Sequence, residues 1–485
     1  MKHITPAEAL TKAIRKPRLS GAVLSGCVRA AETLGLTLLA LALRLTETEG
    51  GYRPNGEDLL IFSTLALTTA ALLKSSGGYA LAALRAIPVN GLRAVLIWGG
   101  VVLAFMAVDF LLGLEQHFSR EFLLEWLLAG AIFLVVERLG LGLWIRRLTR
   151  LGRLDRYAVI VGGGPMAEML LEALARPPMT DLRILGLFDD RADDRSPDVV
   201  AGYPRLGTLD DLLAYARHVQ VDQLIFALPI TAEGRILAML RKLWVLPVDI
   251  RLAAHANRLR FRPRSYTFIG AVPTFDLLDK PLSDWSLLTK AVFDRVAGWA
   301  LLIVLAPLMA LIALGVRLTS PGPVVFRQER HGFNNERIVV YKFRTLYHDQ
   351  CDPSALNQVR RNDPRVTALG RFLRRSSLDE LPQLYNVAVK GDLSLVGPRP
   401  HALNASVANR AYDEAVEGYF ARHRVKPGVT GWAQIHGWRG ETDTVEKIQR
   451  RVECDLDYIE NWSMLLDLYI LALTPFALLF GDNAY

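Results

Sequence analysis

The sequence predicts a membrane protein of the α plus α/β class. It contains four transmembrane helices, a Rossmann-like α/β domain, a re-entrant membrane helix and a small α/β domain with interfacial helices. Three observations carry this. Four apolar stretches follow one another near residues 21–45, 58–74, 92–114 and 122–145. Strand-type and helix-type runs then alternate around a glycine-rich turn. A fifth apolar stretch, Val296 to Val316, has Pro307 near its middle and basic residues at both ends.

The totals agree. A chain of 485 residues holds two to three domains, and 51% apolar content suits membrane segments joined to soluble parts. Cys27, Cys351 and Cys454 lie far apart. They offer neither a disulfide framework nor a zinc site, which fits a reducing compartment. No cleavable signal peptide is apparent; the basic first 19 residues lead into a retained signal-anchor helix.

Each of the first four stretches is near the ~20 residues that cross a bilayer as a helix, the second at the short limit. Lys12, Arg15, Lys16 and Arg18 precede the first stretch, and Arg146, Arg147, Arg150, Arg153 and Arg156 follow the fourth. The positive-inside rule puts both ends of this bundle in the cytoplasm. Arg29, Glu32, Asp109, Glu125, Glu137 and Arg138 lie within the stretches, too scattered for a transport path.

From Tyr157 the pattern changes. The run Tyr157 to Val161 meets Gly162-Gly-Gly164-Pro-Met-Ala167, and a second strand-type run ends in Asp189-Asp190. A G-x-G-x-x-A turn with an acid roughly twenty residues on matches dinucleotide-binding folds. Such folds also serve as regulatory or dimerising scaffolds, so a bound dinucleotide stays open. Both flanks of the fifth stretch are positive, so a helix that breaks at Pro307 and returns to the same face is expected over a second crossing. Met464 to Phe480 holds Asp467 and Pro475 and is expected on the membrane surface. The expected domains are a cytoplasmic basic N-terminus 1–20, a four-helix bundle 21–150, a Rossmann-like domain 151–282, and a catalytic domain 283–485 with the re-entrant helix at 288–318.

Chemistry concentrates in Arg371 to Pro400. Asp379 and Glu380 are adjacent, with Arg371, Arg374 and Arg375 before them and Lys390 and Arg399 after. Two neighbouring carboxylates near a substrate anion need a cation, and hard oxygen ligands suit Mg²⁺. Arginines suit phosphate oxygens. Ser377-x-x-Glu380 also reads as a helix capping box. With Ser377 as N-cap, Pro382 falls inside the helix. With Asp379 as N-cap, it falls where no hydrogen bond is lost, and this later start is expected. Lys342 and Arg344 alternate along a strand-type run and can face one anion, or form a solvated strand face.

By residue 400 a family resemblance has formed. Phe293-Asp-Arg295, Ser320-Pro-Gly-Pro323, Lys342-Phe-Arg344, Ser377-Leu-Asp-Glu-Leu381, Val396-Gly-Pro-Arg-Pro400 and Lys426-Pro-Gly-Val-Thr-Gly-Trp-Ala-Gln434 appear in order. From about Leu287 onward the chain resembles the bacterial sugar transferases, the polyprenyl-phosphate phosphoglycosyl transferases. The whole chain is similar to the large form of that family. Within it, Arg439-Gly-Glu-Thr442 and the ending Asp482-Asn-Ala-Tyr485 look like the undecaprenyl-phosphate glucose phosphotransferases that begin exopolysaccharide synthesis of the xanthan type.

The resemblance implies a two-step reaction. Asp379 attacks the β-phosphorus of a UDP-sugar, expected to be UDP-glucose, and UMP leaves. Undecaprenyl phosphate then takes the sugar phosphate from the aspartyl intermediate. Glu380 holds the metal. Lys342, Arg344, Arg375 and Arg399 meet phosphate. Pro398, Pro400, Gly428, Thr430, Gly431 and Gln434 meet the nucleotide, unless Gly397 to Pro400 is only a structural turn. Asp294 and Arg295 meet the polyprenyl phosphate or anchor the interface. The implied setting is the bacterial inner (cytoplasmic) membrane, multi-pass, with the active site on the cytoplasmic face in contact with membrane lipid. A homodimer is expected and nucleic acid is not. Two other classes compete. A membrane-anchored nucleotide-sugar dehydratase needs Tyr-x-x-x-Lys, which no tyrosine here satisfies. A polysaccharide-export scaffold explains the anchor but not the acid pair. Galactose and N-acetylated sugars remain open.

Overall fold

The computed structural model describes residues 19–46, 55–112, 118–175, 181–191, 197–254, 267–269, 272–350, 363–403, 406–407, 410–416, 418–438, 440 and 444–480. Outside the described residues lie the basic N-terminus through Arg18, Cys351, the ending Asp482 to Tyr485, and Arg439, Glu441 and Thr442 of the Arg-Gly-Glu-Thr motif. The described residues divide into two units, one within Arg15–Asp155 and one within Arg156–Tyr485.

In the first unit lie α1 (Gly21–Thr46), α2 (Gly56–Ser75), α3 (Leu81–Arg85), α4 (Ile87–Leu112) and α5 (Arg120–Arg150). All but α3 are long and apolar enough to cross a membrane. They pack in a ring: α1 on α2, α2 on α4, α4 on α5 and α5 on α1. Helices α2 and α5 run past their apolar stretches, and each starts at a polar cap. Asn55 Oδ1 accepts from the Glu57 and Asp58 amides, and Asp58 answers the Asn55 amide. Ser119 Oγ accepts from the Phe122 amide at the start of α5. Aromatic rings fill the interior: Trp126 lies 5.1 Å from Phe62 and 5.2 Å from Trp98, centroid to centroid. Of the charges inside the apolar stretches, Arg138 and Glu32 pair at 2.6 Å, both buried. Arg29 and Glu125 are exposed.

The second unit begins with a mixed eight-stranded sheet. Its strands are β1 (Arg156–Val161), β2 (Leu182–Phe188), β3 (Val199–Val200), β4 (Tyr203–Gly207), β5 (Gln223–Phe226), β6 (Asp249–Ala253), β7 (Thr267–Ile269) and β8 (Val272–Leu278), in the order β3-β4-β2-β1-β5-β6-β8-β7. The strands from β4 to β6 run parallel; β3, β8 and β7 are antiparallel additions. Strand alternation sorts the two faces. Val159 and Val161 pack against α7 (Leu209–His218) and α8 (Glu233–Leu243). Ala158 and Ile160 pack against α6 (Pro165–Ala175). The glycine turn takes the left-handed conformations that glycine permits, φ +104° at Gly162 and +81° at Gly164. Asp189, the acid of the dinucleotide pattern, turns inward. It accepts from the Gly163 amide at 2.7 Å and pairs with Arg191 at 2.7 Å and Arg235 at 3.1 Å.

The rest of the unit is built on α9 (Asp284–Thr319). Helical structure continues through Pro307, so the chain does not stop and restart there. After it come an antiparallel hairpin of β9 (Val325–His331) and β10 (Arg337–Phe343), then α10 (Ala368–Ser376), β11 (Ser394–Val396) parallel to β12 (Gly428–Thr430), α11 (Val445–Glu460) and α12 (Met464–Phe480). One side of α9 stays exposed along its length, with Val296, Ile303, Val304, Leu311 and Leu318 bare.

Asp467 is not a polar obstacle to burying α12. It is buried, with Lys290 of α9 at 2.6 Å and the Tyr458 hydroxyl at 2.7 Å. Removing one partner of a buried pair leaves a bare charge, so Lys290→Ala is expected to cost about 3–5 kcal/mol. A urea melt of the detergent-solubilised chain checks this.

Candidate active site

The acid pair sits where the backbone is bent twice. α10 ends at Ser377, whose φ of +56° is left-handed for a non-glycine residue. That conformation costs roughly 1–2 kcal/mol and clusters at functional sites. Leu378–Glu380 then forms a 3₁₀ turn, closed by Glu380 N–H to Ser377 O at 3.1 Å. Pro382 opens a further helical turn at φ −60°. The short helix starts after Ser377 without a side-chain cap, and the expected later start at Asp379 is absent. The Ser377 side chain makes no capping bond, and Asp379 lies inside the 3₁₀ turn rather than at an N-cap. The left-handed break, not a cap, points both carboxylates inward.

The two acids differ. Glu380 is clamped: its Oε1 accepts from Lys342 Nζ at 2.6 Å and from Arg399 at 2.5 Å, and its Oε2 accepts from Arg399 at 3.2 Å. Asp379 is 8% exposed, and among the described residues nothing bonds to its carboxylate. Electrostatics separates them further. Burial, then the charge of Glu380, pushes the Asp379 carboxyl above the aspartate range, although Lys342 opposes. Burial also acts upward on Glu380, but Arg399 and Lys342 outweigh it and hold that carboxyl well below the usual range.

Other cations close the site. Burial and the neighbouring Arg399 bring Arg330 down to about 10. Arg330 donates to Pro400 O and to Gln328. Arg374 is fixed through its Nε on Thr345 Oγ1 at 2.8 Å, and its charge acts on Asp379. Sequence reading placed Arg374 only as a flanking residue and did not single out Arg330. The signal for Arg330 is its place in β9, beside the strand that carries Lys342.

Several expected positions differ. Arg344 does not join Lys342 on one anion. It lies just past the end of β10 and donates to Ser320 O and Pro321 O, pinning the Ser-Pro-Gly-Pro turn. Arg375 is exposed, and its neighbour Arg374 faces inward instead. Asp294 is buried, accepting from the Leu395 amide at 3.1 Å, and Arg295 donates to Ala388 O and Val389 O. Both fasten α9 to the segment around the acid pair.

Gly428 and Gly431 do serve close approach, but to the chain itself. A Cβ on Gly428 would lie 2.1 Å from Gly397 N, and one on Gly431 would lie 2.3 Å from Gly397 O. Pro398 O accepts from the Gly428 amide, and Pro400 O takes Arg330. Thr430 shares a hydrogen bond with Thr474 at 2.8 Å. Among the described residues, Gln434 Oε1 is buried without a partner. Thr430 and Gln434 line a cavity of about 200 Å³ between α9 and α12, walled by Leu301, Leu305 and Leu471 and reaching Glu380.

No group of three or more His, Cys, Asp or Glu among the described residues can cage a metal. Asp379 and the second oxygen of Glu380 are hard oxygen donors, but Lys342, Arg330 and Arg399 crowd them with positive charge. The site therefore fits Mg²⁺ only when it arrives with substrate phosphates, the common mode for that ion.

Comparison with known proteins places the chain in a family. The family model for bacterial sugar transferases matches residues 285–481, and that for a CoA-binding domain matches 74–254. The undecaprenyl-phosphate glucose phosphotransferase of Komagataeibacter xylinus is 40% identical over 75% of this chain and 66% of its own length. The UDP-glucose:undecaprenyl-phosphate glucose-1-phosphate transferase of Xanthomonas campestris pv. campestris is 35% identical over 80% of each chain. That of Escherichia coli K12 is 37% identical over 75% of this chain and 76% of its own. The chain belongs to the bacterial sugar transferase family and is a glycosyl-1-phosphate transferase.

Proposed function

We propose that this enzyme transfers glucose 1-phosphate from UDP-glucose to undecaprenyl phosphate through an aspartyl-phosphoglucose intermediate, releasing UMP, at the cytoplasmic face of a bacterial inner membrane. One observation carries the mechanism: of two adjacent buried carboxylates, Glu380 is clamped by Lys342 and Arg399 while Asp379 has no bond among the described residues. An unbonded carboxylate keeps its lone pairs for attack on phosphorus. Lys342, Arg330, Arg374 and Arg399 lower the repulsion a carboxylate meets on approaching a diphosphate. In the first step Asp379 forms a bond to the β-phosphorus, and the bond to the UMP oxygen breaks. In the second, an oxygen of the lipid phosphate attacks that phosphorus, and Asp379 leaves as carboxylate. Mg²⁺, brought with the diphosphate and met by Glu380, would neutralise charge on the phosphates.

The cavity between α9 and α12 supports a lipid acceptor. Its walls are mostly apolar, drawn largely from helices with bare apolar faces, and Glu380 is among its lining residues. A hydrocarbon tail fits such walls, and Lys342 and Arg399 beside Glu380 suit a phosphate head. A same-face return of α9 also draws support from packing. Ala297, Leu302 and Leu305 in its first half and Ile312 and Val316 in its second join clusters that share Leu381. Single cysteines after Ser320 in sealed inside-out and right-side-out vesicles are expected to label only from the cytoplasmic side. Labelling only from the opposite side contradicts the return.

Purified enzyme given Mg²⁺, undecaprenyl phosphate and a panel of UDP-sugars is expected to release UMP fastest with UDP-glucose. No metal-dependent release with any UDP-sugar refutes the reaction. Fastest release with UDP-galactose or an N-acetylated sugar overturns glucose alone.

A further inference from the structure

Three segments far apart in sequence converge behind Arg399. Arg422 is fully buried in the 3₁₀ turn Tyr419–Arg424. Its Nη2 donates to the backbone carbonyl of Arg399 at 2.8 Å and pairs with Asp455 of α11 at 2.5 Å. Its Nη1 donates to His401 Nδ1 at 2.7 Å, a nitrogen the Tyr419 hydroxyl also reaches at 2.7 Å. One helical turn before Asp455, Arg451 donates to the carbonyls of Trp438 and Gly440. A guanidinium has five donors in a rigid fork, so Arg422 can hold the Arg399 carbonyl, His401 and Asp455 together, which an ammonium cannot.

The turn that carries Arg422 is itself held on both sides. His423 Nδ1 bonds Asn335 Oδ1, and Arg424 donates to Asp279 O at 3.1 Å. Asn334 and Asn335 are both left-handed, and Asn334 donates to Ala216 O at the end of α7 at 2.7 Å. The hairpin between β9 and β10 thus ties the turn to the sheet domain.

Proline on each side of Arg399 leaves the backbone there little freedom except rotation of the whole segment. Arg330 holds the Pro400 carbonyl and Arg422 holds the Arg399 carbonyl. We infer that Arg422 is a positioning residue: by fixing the Arg399 carbonyl it sets the guanidinium of Arg399 on Glu380, and so holds the acid pair in its asymmetric arrangement. Asp455 balances the buried charge. The inference rests on the reading that Glu380 and Arg399 act on the substrate.

A double-mutant cycle separates positioning from support of the fold. Arg422→Lys keeps the charge opposite Asp455 but loses the fork. It is expected to lower kcat about ten- to hundredfold, the scale of a lost charge-assisted hydrogen bond. In an Arg399→Ala background the same change is expected to cost less than about twofold, because the group it positions is gone. Equal losses in both backgrounds, or an unchanged kcat in Arg422→Lys, overturn the inference. If Arg422→Lys does not fold, Asp455→Asn, which loosens Arg422 without removing its fork, enters the same cycle with the same two criteria. UMP release by the parent enzyme is measured alongside. Its absence defeats the proposed reaction, whereas its presence with an additive cycle defeats the inference alone.

Discussion

Asp379→Asn is expected to abolish turnover, by about 10⁴-fold or more, the scale of losing a nucleophile. Asparagine has nearly the same shape, and the Asp379 carboxylate has no bond among the described residues to lose. The defect should therefore appear in chemistry and not in folding. Linkage gives the sign for stability. Burial and then Glu380 raise the carboxyl of Asp379 in the folded chain, against the opposition of Lys342. An acid with a raised folded pKa adds stability only below its unfolded pKa and removes it as pH rises through the folded value. At neutral pH the raised carboxyl of Asp379 opposes folding, so the variant should melt at the same temperature as the parent or higher. The gap should close below about pH 4, where both states of the parent are protonated. A variant that melts lower at pH 7 would mean that Asp379 is a structural ion, and residual turnover near the parent rate would remove it from the chemistry.

Glu380→Gln is expected to lower kcat about 10²–10³-fold, the size seen when a preorganised electrostatic group is lost. It should also shift the pH profile in a defined direction. The charge of Glu380 raises the Asp379 carboxyl, while Lys342 and Arg399 are engaged by Glu380. Glutamine removes the like charge and leaves the two cations less occupied. Both effects lower the pKa of Asp379, so the acid limb of single-turnover UMP release should move to lower pH. A limb that stays in place means that the two carboxylates do not interact. Mg²⁺ dependence should weaken in the same variant if Glu380 meets the ion. Unchanged metal response removes Glu380 as a ligand.

The sequence made some levels of this structure legible and not others, for physical reasons. Apolar length marked α1, α2, α4 and α5, because a helix that faces hydrocarbon has to be apolar over about twenty residues. Alternation and the glycine turn marked the parallel part of the sheet, while its antiparallel edges β3, β7 and β8 carry no such signature. The acid pair was legible from charge and context, and Lys342 and Arg399 do meet it. Its local geometry was not: a serine in a left-handed conformation looks like any serine in a string of letters, and Ser-x-x-Glu invites a capping box that does not form. Arg344, Asp294 and Arg295 show a second limit. Arg344 and Arg295 suit an anion by residue type and Asp294 beside them does not, but in the fold backbone groups bond all three. Asp467 shows a third, since a carboxylate in an apolar helix reads as exposed until its lysine is found on a helix far away in sequence. The cluster of Arg422, His401 and Asp455 joins separate segments, so no spacing rule could assemble it.

The most direct test of the central claim is a covalent one. The detergent-solubilised chain is mixed with UDP-glucose and Mg²⁺ without any lipid phosphate, quenched, digested and analysed by mass spectrometry, with UMP counted in parallel. The account predicts up to one UMP per chain and a hexose-phosphate adduct on the peptide that contains Asp379, absent in Asp379→Asn and discharged by undecaprenyl phosphate. UMP that forms only when the lipid phosphate is present, with no adduct at any time, would mean direct transfer between the two substrates and would contradict it.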